Sequence, residues 1–202
     1  MRPLFKNLAL TFIGIILVSV SSIAQTRGSL PAMTEQQLAG LMERLSKISE
    51  RHATFREEKN LAALERPLIS IGRLHYRSPR ILEKITSSPK SERLAVDGDH
   101  LTITMGPEPS RVLDLSAQPE LQALVDTIRG TLSGDLKLLR TYYVVRGEGT
   151  SSAWRLMLTP SDSRVARFVR VVIVEGANAD PATITTIQTN GDEQRLTIEP
   201  LR

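Results

Sequence analysis

The stretch Pro67-Leu-Ile-Ser-Ile-Gly-Arg-Leu-His-Tyr-Arg-Ser-Pro79, then Arg80-Ile-Leu-Glu-Lys-Ile-Thr86, then Arg93-Leu-Ala-Val-Asp-Gly-Asp-His-Leu-Thr-Ile-Thr-Met105 decides the fold. It reads as four consecutive strands joined by tight turns. Pro79 ends the first strand, because proline fixes φ and donates nothing to a ladder. Ser87-Ser88-Pro89 breaks the second. Asp97-Gly98 is a hairpin signal of the type I′ kind, with glycine taking the positive φ. In Leu101-Thr102-Ile103-Thr104-Met105 the apolar residues alternate, so one face is dry and the other polar. Strands with one wet face belong to an antiparallel sheet rather than a parallel α/β core.

The chain has 202 residues, 41% of them hydrophobic, enough for one domain with a core of its own. Arg2 and Lys6 precede an uncharged apolar run over residues 8–20, followed by Ser22-Ile23-Ala24. That order of basic, apolar and small residues predicts a secretory signal peptide over residues 1–24 and a single mature domain over 25–202. The apolar run is shorter than the ~20 residues of a membrane-spanning helix. Export to an oxidising compartment, the periplasm, is therefore expected.

The sequence contains no cysteine, which excludes disulfides, zinc–thiolate sites, thiol nucleophiles and a lipid-anchoring cysteine. There are 26 basic and 22 acidic side chains; without the leader's Arg2 and Lys6 the balance is 24 to 22. Positive charge is scattered and aromatics make up only 4% of residues. A nucleic-acid reader needs a basic stripe with stacking aromatics, so nucleic acid is not an expected partner.

Outward from the four strands, the chain continues the same theme. Thr34 is an N-cap with Gln37 at the capping-box position, and Leu38, Leu41, Leu45 and Ile48 recur at helical spacing, which predicts an amphipathic helix over residues 34–51. Residues 52–64 read as a long strand carrying Phe55 and residues 111–115 as a short one. Pro119 suits the first turn of a helix whose stripe is Leu121, Leu124, Val125, Ile128 and Leu132, broken by Ser133-Gly134-Asp135 and followed by a short helical turn at Leu136 and Leu139. Strands follow at 141–147, 153–159, 164–175, 183–188 and 194–199, the last two joined at Asn190-Gly191. About ten strands with frequent turns indicate a barrel or sandwich. The helical insertion is expected to cover the sheet's open face.

Catalytic chemistry is not visible. His52, His75 and His100 stand apart, without a second ligand at a metal-binding spacing, and are expected at solvated rim positions. No Gly-x-Ser-x-Gly elbow is present. Asp97-Gly98-Asp99 lacks the carboxylates of a calcium loop. Glu57 and Glu58 point to opposite faces of a strand and cannot flank one bond. Glu83 shares a face with Ile81 and Ile85 and either pairs with an arginine of a neighbouring strand or sits at an exposed edge, the edge being preferred. Neither catalytic residues, metal ligands nor cofactors are assigned, and no enzyme activity is expected.

Ala53-Thr54-Phe55, then Gly72-Arg73-Leu74-His75-Tyr76-Arg77-Ser78-Pro79, then Leu94-Ala95-Val96-Asp97-Gly98-Asp99-His100-Leu101, followed by the apolar helical insertion, resemble the LolA family of periplasmic lipoprotein carriers. Leu132-Ser133-Gly134-Asp135 and Trp154-Arg155-Leu156-Met157-Leu158-Thr159-Pro160 bring it nearer to a divergent LolA-related branch. The resemblance implies an unclosed antiparallel β-barrel with an N-terminal helix and a mid-chain helical lid over an apolar cavity. It further implies a monomer that binds acyl chains of a lipoprotein or lipid cargo and shuttles them from an inner-membrane exporter to an outer-membrane acceptor. Burying an acyl chain is worth ~0.8 kcal/mol per methylene, which a lined cavity supplies without catalytic groups. Alternation nominates Leu94, Val96, Leu101, Ile103, Met105, Trp154, Leu156 and Leu158 for the cavity and Leu121, Leu124 and Ile128 for the lid. The alternative is a lipid-sensing module that regulates an envelope complex. In two places the sequence departs from the family. The lid-holding arginine expected immediately before Pro79 is replaced by Ser78, with Arg77 one step earlier, and the aromatic-rich strand that follows retains only Leu82 as an apolar residue in Leu82-Glu83-Lys84.

Overall fold

A computed structural model of the chain describes residues 30–201; the leader expected over residues 1–24 lies outside them. Eleven strands follow a first helix, α1 (Glu35–Ser46): β1 (Glu50–Asn60), β2 (Leu68–Arg77), β3 (Ile81–Ser88), β4 (Glu92–Asp97), β5 (His100–Met105) and β6 (Arg111–Asp114) form the first run. The helices α2 (Pro119–Ser133) and α3 (Leu136–Tyr142) come next, then β7 (Tyr143–Gly149), β8 (Trp154–Pro160), a helical turn α4 (Ser163–Ala166), β9 (Val169–Ala177), β10 (Asp180–Gln188) and β11 (Glu193–Pro200).

All strands belong to one antiparallel sheet in the order β6-β5-β4-β3-β2-β1-β11-β10-β9-β8-β7. Each strand pairs with its neighbour in sequence, except that β1 pairs with β11 and β6 does not pair with β7. The sheet is thus a meander closed through its two ends and open at one seam. Residues 115–142, the helical insertion, join the two strands that border that seam. The free edge of β7 is partly covered by the lead-in segment: Met33 N–H donates to the Gly147 carbonyl at 2.8 Å and Gly149 N–H to the Pro31 carbonyl at 2.7 Å. Covering an edge in this way removes a template for unwanted strand pairing.

Local chemistry explains most boundaries. Thr34 and Gln37 form the expected capping box at α1. The helix stops at Ser46, short of residue 51, because Glu50 and Arg51 already pair with Arg77 and Tyr76 in the β1–β2 ladder. Pro119 opens α2, and Gly134 closes it at φ 66. A Cβ at Gly134 would collide with the Met42 carbonyl, so glycine also lets α2 abut α1. Residues 164–166, expected as the start of a strand, instead belong to the helical turn α4, since the Asp162 carboxylate accepts from the Arg164 and Val165 N–H groups and caps it. Between β4 and β5 the central turn residues are Gly98 and Asp99, with positive φ only at Gly98 (58°). Glycine first and a non-glycine at negative φ second is the type II′ pattern, not the type I′ expected. Glu83 sits on an interior strand rather than at an edge, and its carboxylate pairs with Arg93 of β4.

Two apolar clusters form. The larger packs Leu38, Leu41 and Leu45 of α1 and Leu139 of α3 against Tyr143, Trp154, Leu156 and Val174 of β7–β9. The smaller gathers Val96, Leu101 and Leu115, with Leu121 and Val125 of α2 packed against it.

Candidate functional site

Between these clusters lies a cavity of about 360 Å³. Its floor comes from cross-strand partners on one face of the sheet. Ala53 lies opposite Leu74, Tyr76 opposite Leu82, and Leu196 opposite both Glu57 and Ile184, so the pairing of β1 with β11 closes the floor. Ile128 and Leu132 of α2 form the roof. The volume is at the lower end of the ~300–1,000 Å³ common for small-molecule sites. A second hollow of about 570 Å³ opens between Arg56, Arg73 and Glu199, but every residue lining it comes from the sheet and no helix roofs it. The roofed cavity is the better shelter for an apolar chain.

One end of the cavity is polar. Glu57 is 2% exposed and accepts from Lys84 Nζ at 2.6 Å, Gln194 Nε2 at 2.6 Å and Ser70 Oγ at 2.9 Å, with Lys59 Nζ at 3.4 Å. Burial pushes the Glu57 carboxyl up, yet Lys84, Lys59 and Ser70 together outweigh it and hold the group below its ordinary value of 4.5. A buried carboxylate so fully hydrogen-bonded remains ionised. Lys84 Nζ also lies 5.0 Å from the centre of the Phe55 ring, within cation–π range.

The roof is held by a residue the sequence reading passed over. Arg129 of α2 is 9% exposed, and its Nη2 donates to the Gly98 carbonyl at 2.6 Å and the Arg80 carbonyl at 2.8 Å. One guanidinium thereby ties α2 to both the β2–β3 and β4–β5 turns. On its other side α2 is anchored to α3 and β7: Tyr142 Oη donates to Asp126 Oδ2 at 3.0 Å and Thr127 Oγ1 lies 2.8 Å from Tyr143 Oη. Burial, and then the Asp126 carboxylate, push the Tyr142 hydroxyl up to about 12.

The residues nominated from sequence are distributed over four places. Ile128 is on the cavity roof. Val96, Leu101, Leu94 and Ile103 form the smaller cluster, which Leu121 of α2 joins. Trp154, Leu156 and Leu158 lie in the larger cluster beneath α1 and α3, each at most 2% exposed. Leu124 and Met105 are exposed, the latter at 55%. The cavity residues not nominated, Leu74, Leu82, Ile184, Leu196 and Ile198, obey the same alternation; what the sequence does not display is the β1–β11 pairing that sets them side by side.

The histidines expected to stand apart do not all do so. His52 and His75 are cross-strand partners with rings stacked 4.3 Å apart, and both approach Glu50.

The family model described as "Outer membrane lipoprotein carrier protein LolA-like" matches residues 32–199. None of the curated proteins matches the chain significantly. Among solved structures, the LolA superfamily protein NE2245 from Nitrosomonas europaea is similar at 12% identity and a TM-score of 0.44, over 85% of this chain and 94% of that one. The Mycobacterium tuberculosis lipoprotein LppX is similar at 12% identity and a TM-score of 0.46, over 82% and 95%. In the complex of Pseudomonas aeruginosa MucA and MucB the figures are 13% and 0.42, over 80% of this chain and 55% of the matched one.

Proposed function

Because the chain belongs to the LolA-like family of outer membrane lipoprotein carrier proteins, we propose that it is a periplasmic carrier that buries the acyl chains of a lipoprotein or lipid and shuttles them between the inner and outer membranes. The observation that carries this reading is the apolar cavity of about 360 Å³ under a removable roof, α2, attached to the sheet's turns by Arg129. Each methylene taken up is worth ~0.8 kcal/mol, so even part of an acyl chain gains enough to hold α2 displaced. Opening requires no chemistry: Arg129 exchanges two carbonyl acceptors for water, and Ile128 and Leu132 exchange the floor for cargo. The leader would be cleaved near residue 25, releasing the carrier into the periplasm, where it would act as a monomer, as the family resemblance implies.

The test combines cargo and cavity. Native mass spectrometry with lipid extraction on protein purified from its own periplasm should show a bound lipoprotein or acyl lipid. Leu196→Trp, which fills the floor, should abolish uptake of a fluorescent fatty acid while circular dichroism stays unchanged. Unimpaired uptake by the filled variant would overturn the cavity reading. A protein that carries only a protein partner and no lipid would move the assignment to a regulatory module.

A further inference from the structure

Glu50 and His52 are two apart on β1 and so project from the same side of the strand, and His75 of β2 is the direct cross-strand partner of His52. The two imidazole Nε2 atoms lie 3.2 Å (His52) and 3.0 Å (His75) from one oxygen, Glu50 Oε1. All three ligand atoms fall within 4.8 Å of one another. Zinc holds imidazole nitrogens and carboxylate oxygens at ~2.0–2.2 Å, which sets the edge of its coordination tetrahedron near 3.3 Å. Two of the three edges therefore already have close to the right length.

We infer that Glu50, His52 and His75 form a three-ligand site for a divalent transition ion of the zinc type, at the end of the β1–β2 ladder. The donor set of two imidazoles and one carboxylate selects zinc and its first-row neighbours over calcium or magnesium, which prefer oxygen alone. The side chains are accessible, at 48% exposure for Glu50, 56% for His52 and 25% for His75, so an ion reaches them without opening the fold. The rings need only splay from their stacked arrangement to aim both lone pairs at one point. Three protein ligands leave at least one position open for water or for a group on another molecule. The same three residues border the roofed cavity, although His52 and His75 alternate with Ala53 and Leu74 of its floor and so project from the other face of the sheet. The site stands on this geometry alone and does not depend on the carrier reading.

Titration of the tag-free protein with Zn²⁺ by calorimetry, and with Co²⁺ by visible absorption, tests the site. One equivalent should bind, with the absorption of a four-coordinate cobalt centre, and saturating Zn²⁺ should raise the melting temperature. His52→Ala and His75→Ala should each weaken binding by more than the ~100-fold that loss of an outer-shell partner costs. Glu50→Gln, which keeps the size and hydrogen-bonding capacity of the side chain, should weaken it by at least ~10-fold, and all three variants should remain folded. His100→Ala should bind as the wild type does. Absence of stoichiometric binding, affinity insensitive to either His52→Ala or His75→Ala, or loss of binding in His100→Ala would overturn the assignment and leave a stacked histidine pair sharing one carboxylate.

Discussion

Under α1 and α3 the sheet is filled; under the C-terminal half of α2 it is not. On the filled side Leu41, Leu45, Leu139, Leu156 and Leu158 are all at 0% exposure, and Trp154 at 2% closes the end with its indole N–H donating to the Asn178 carbonyl. On the other side the same kind of strand alternation produces Leu74, Leu82, Ile184 and Leu196 that are only half-buried and face a space. The difference lies in the helices. α1 brings four buried apolar residues within a span of eight, Leu38, Leu41, Met42 and Leu45. α2 buries Asp126, Thr127, Arg129, Gly130 and Thr131 beside only two apolar residues, Ala123 and Leu132, so hydrogen bonds carry much of its attachment, and it leaves Leu124 and Ile128 exposed. A helix attached largely by polar bonds is held less firmly than one packed like α1. The molecule is a filled half-sheet core beside a less filled half roofed by α2.

The largest expected effect tests that contrast directly. Leu156→Ala, in the filled half, should lower stability by about 2–5 kcal/mol, because the surrounding core cannot collapse onto the void. Leu74→Ala, on the cavity floor, should cost less than ~2 kcal/mol, since it merely enlarges a space that already exists. Urea denaturation of both variants gives the comparison. Equal losses would mean that the floor is packed as tightly as the core and that the two halves do not differ.

Most of this frame was legible in the sequence. The four strands from Leu68 to Met105, the capping box at Thr34, the proline at the start of α2 and the Gly134 stop all follow from local rules, and each occurs where those rules put it. What local rules do not contain is partnership over distance. The pairing of β1 with β11 joins Glu57 to Gln194, 137 residues apart, and it creates both the cavity floor and its polar end. Glu57 was readable as a strand residue facing away from Glu58, but not as the centre of a buried ion cluster. His52 and His75 looked unrelated because their relation is a register, not a spacing. Arg129 resembled any polar residue on an amphipathic helix, since its acceptors are backbone carbonyls and leave no mark in the sequence.

A smaller effect distinguishes the halves by pH. The Glu57 carboxyl lies below its ordinary value of 4.5 in the folded protein, so the unfolded chain binds the extra proton first as acid is added. Its stabilising contribution is complete above the unfolded value and is lost as pH falls through the lower folded value. Wild-type stability should therefore drop through the acidic range below about pH 4.5, and Glu57→Gln should flatten that part of the profile. The variant also leaves Lys84 without its anion. Breaking a buried pair costs ~3–5 kcal/mol, and Lys84 at 22% exposure keeps some water, so the loss at neutral pH should fall at or below the lower end of that range. An unchanged slope in Glu57→Gln would show that other carboxylates control the acid limb and that the polar end is not a distinct element of the less filled half.

The smallest expected effect is a null result with a use. Trp154 is the only tryptophan in the chain, and it lies in the filled half, 2% exposed, with its Nε1 3.1 Å from the Asn178 carbonyl. If acyl chains enter only the space between α2 and the β1–β2–β11 floor, its emission maximum should not move when a fatty acid saturates the protein. A tryptophan introduced at Ile128, on the roof, should shift under the same titration. A shift at Trp154 would mean that cargo reaches, or rearranges, the packing beneath α1 and α3. The helix that looks fixed would then be part of the opening, and the boundary between the two halves would lie between α1 and the sheet rather than between α1 and α2.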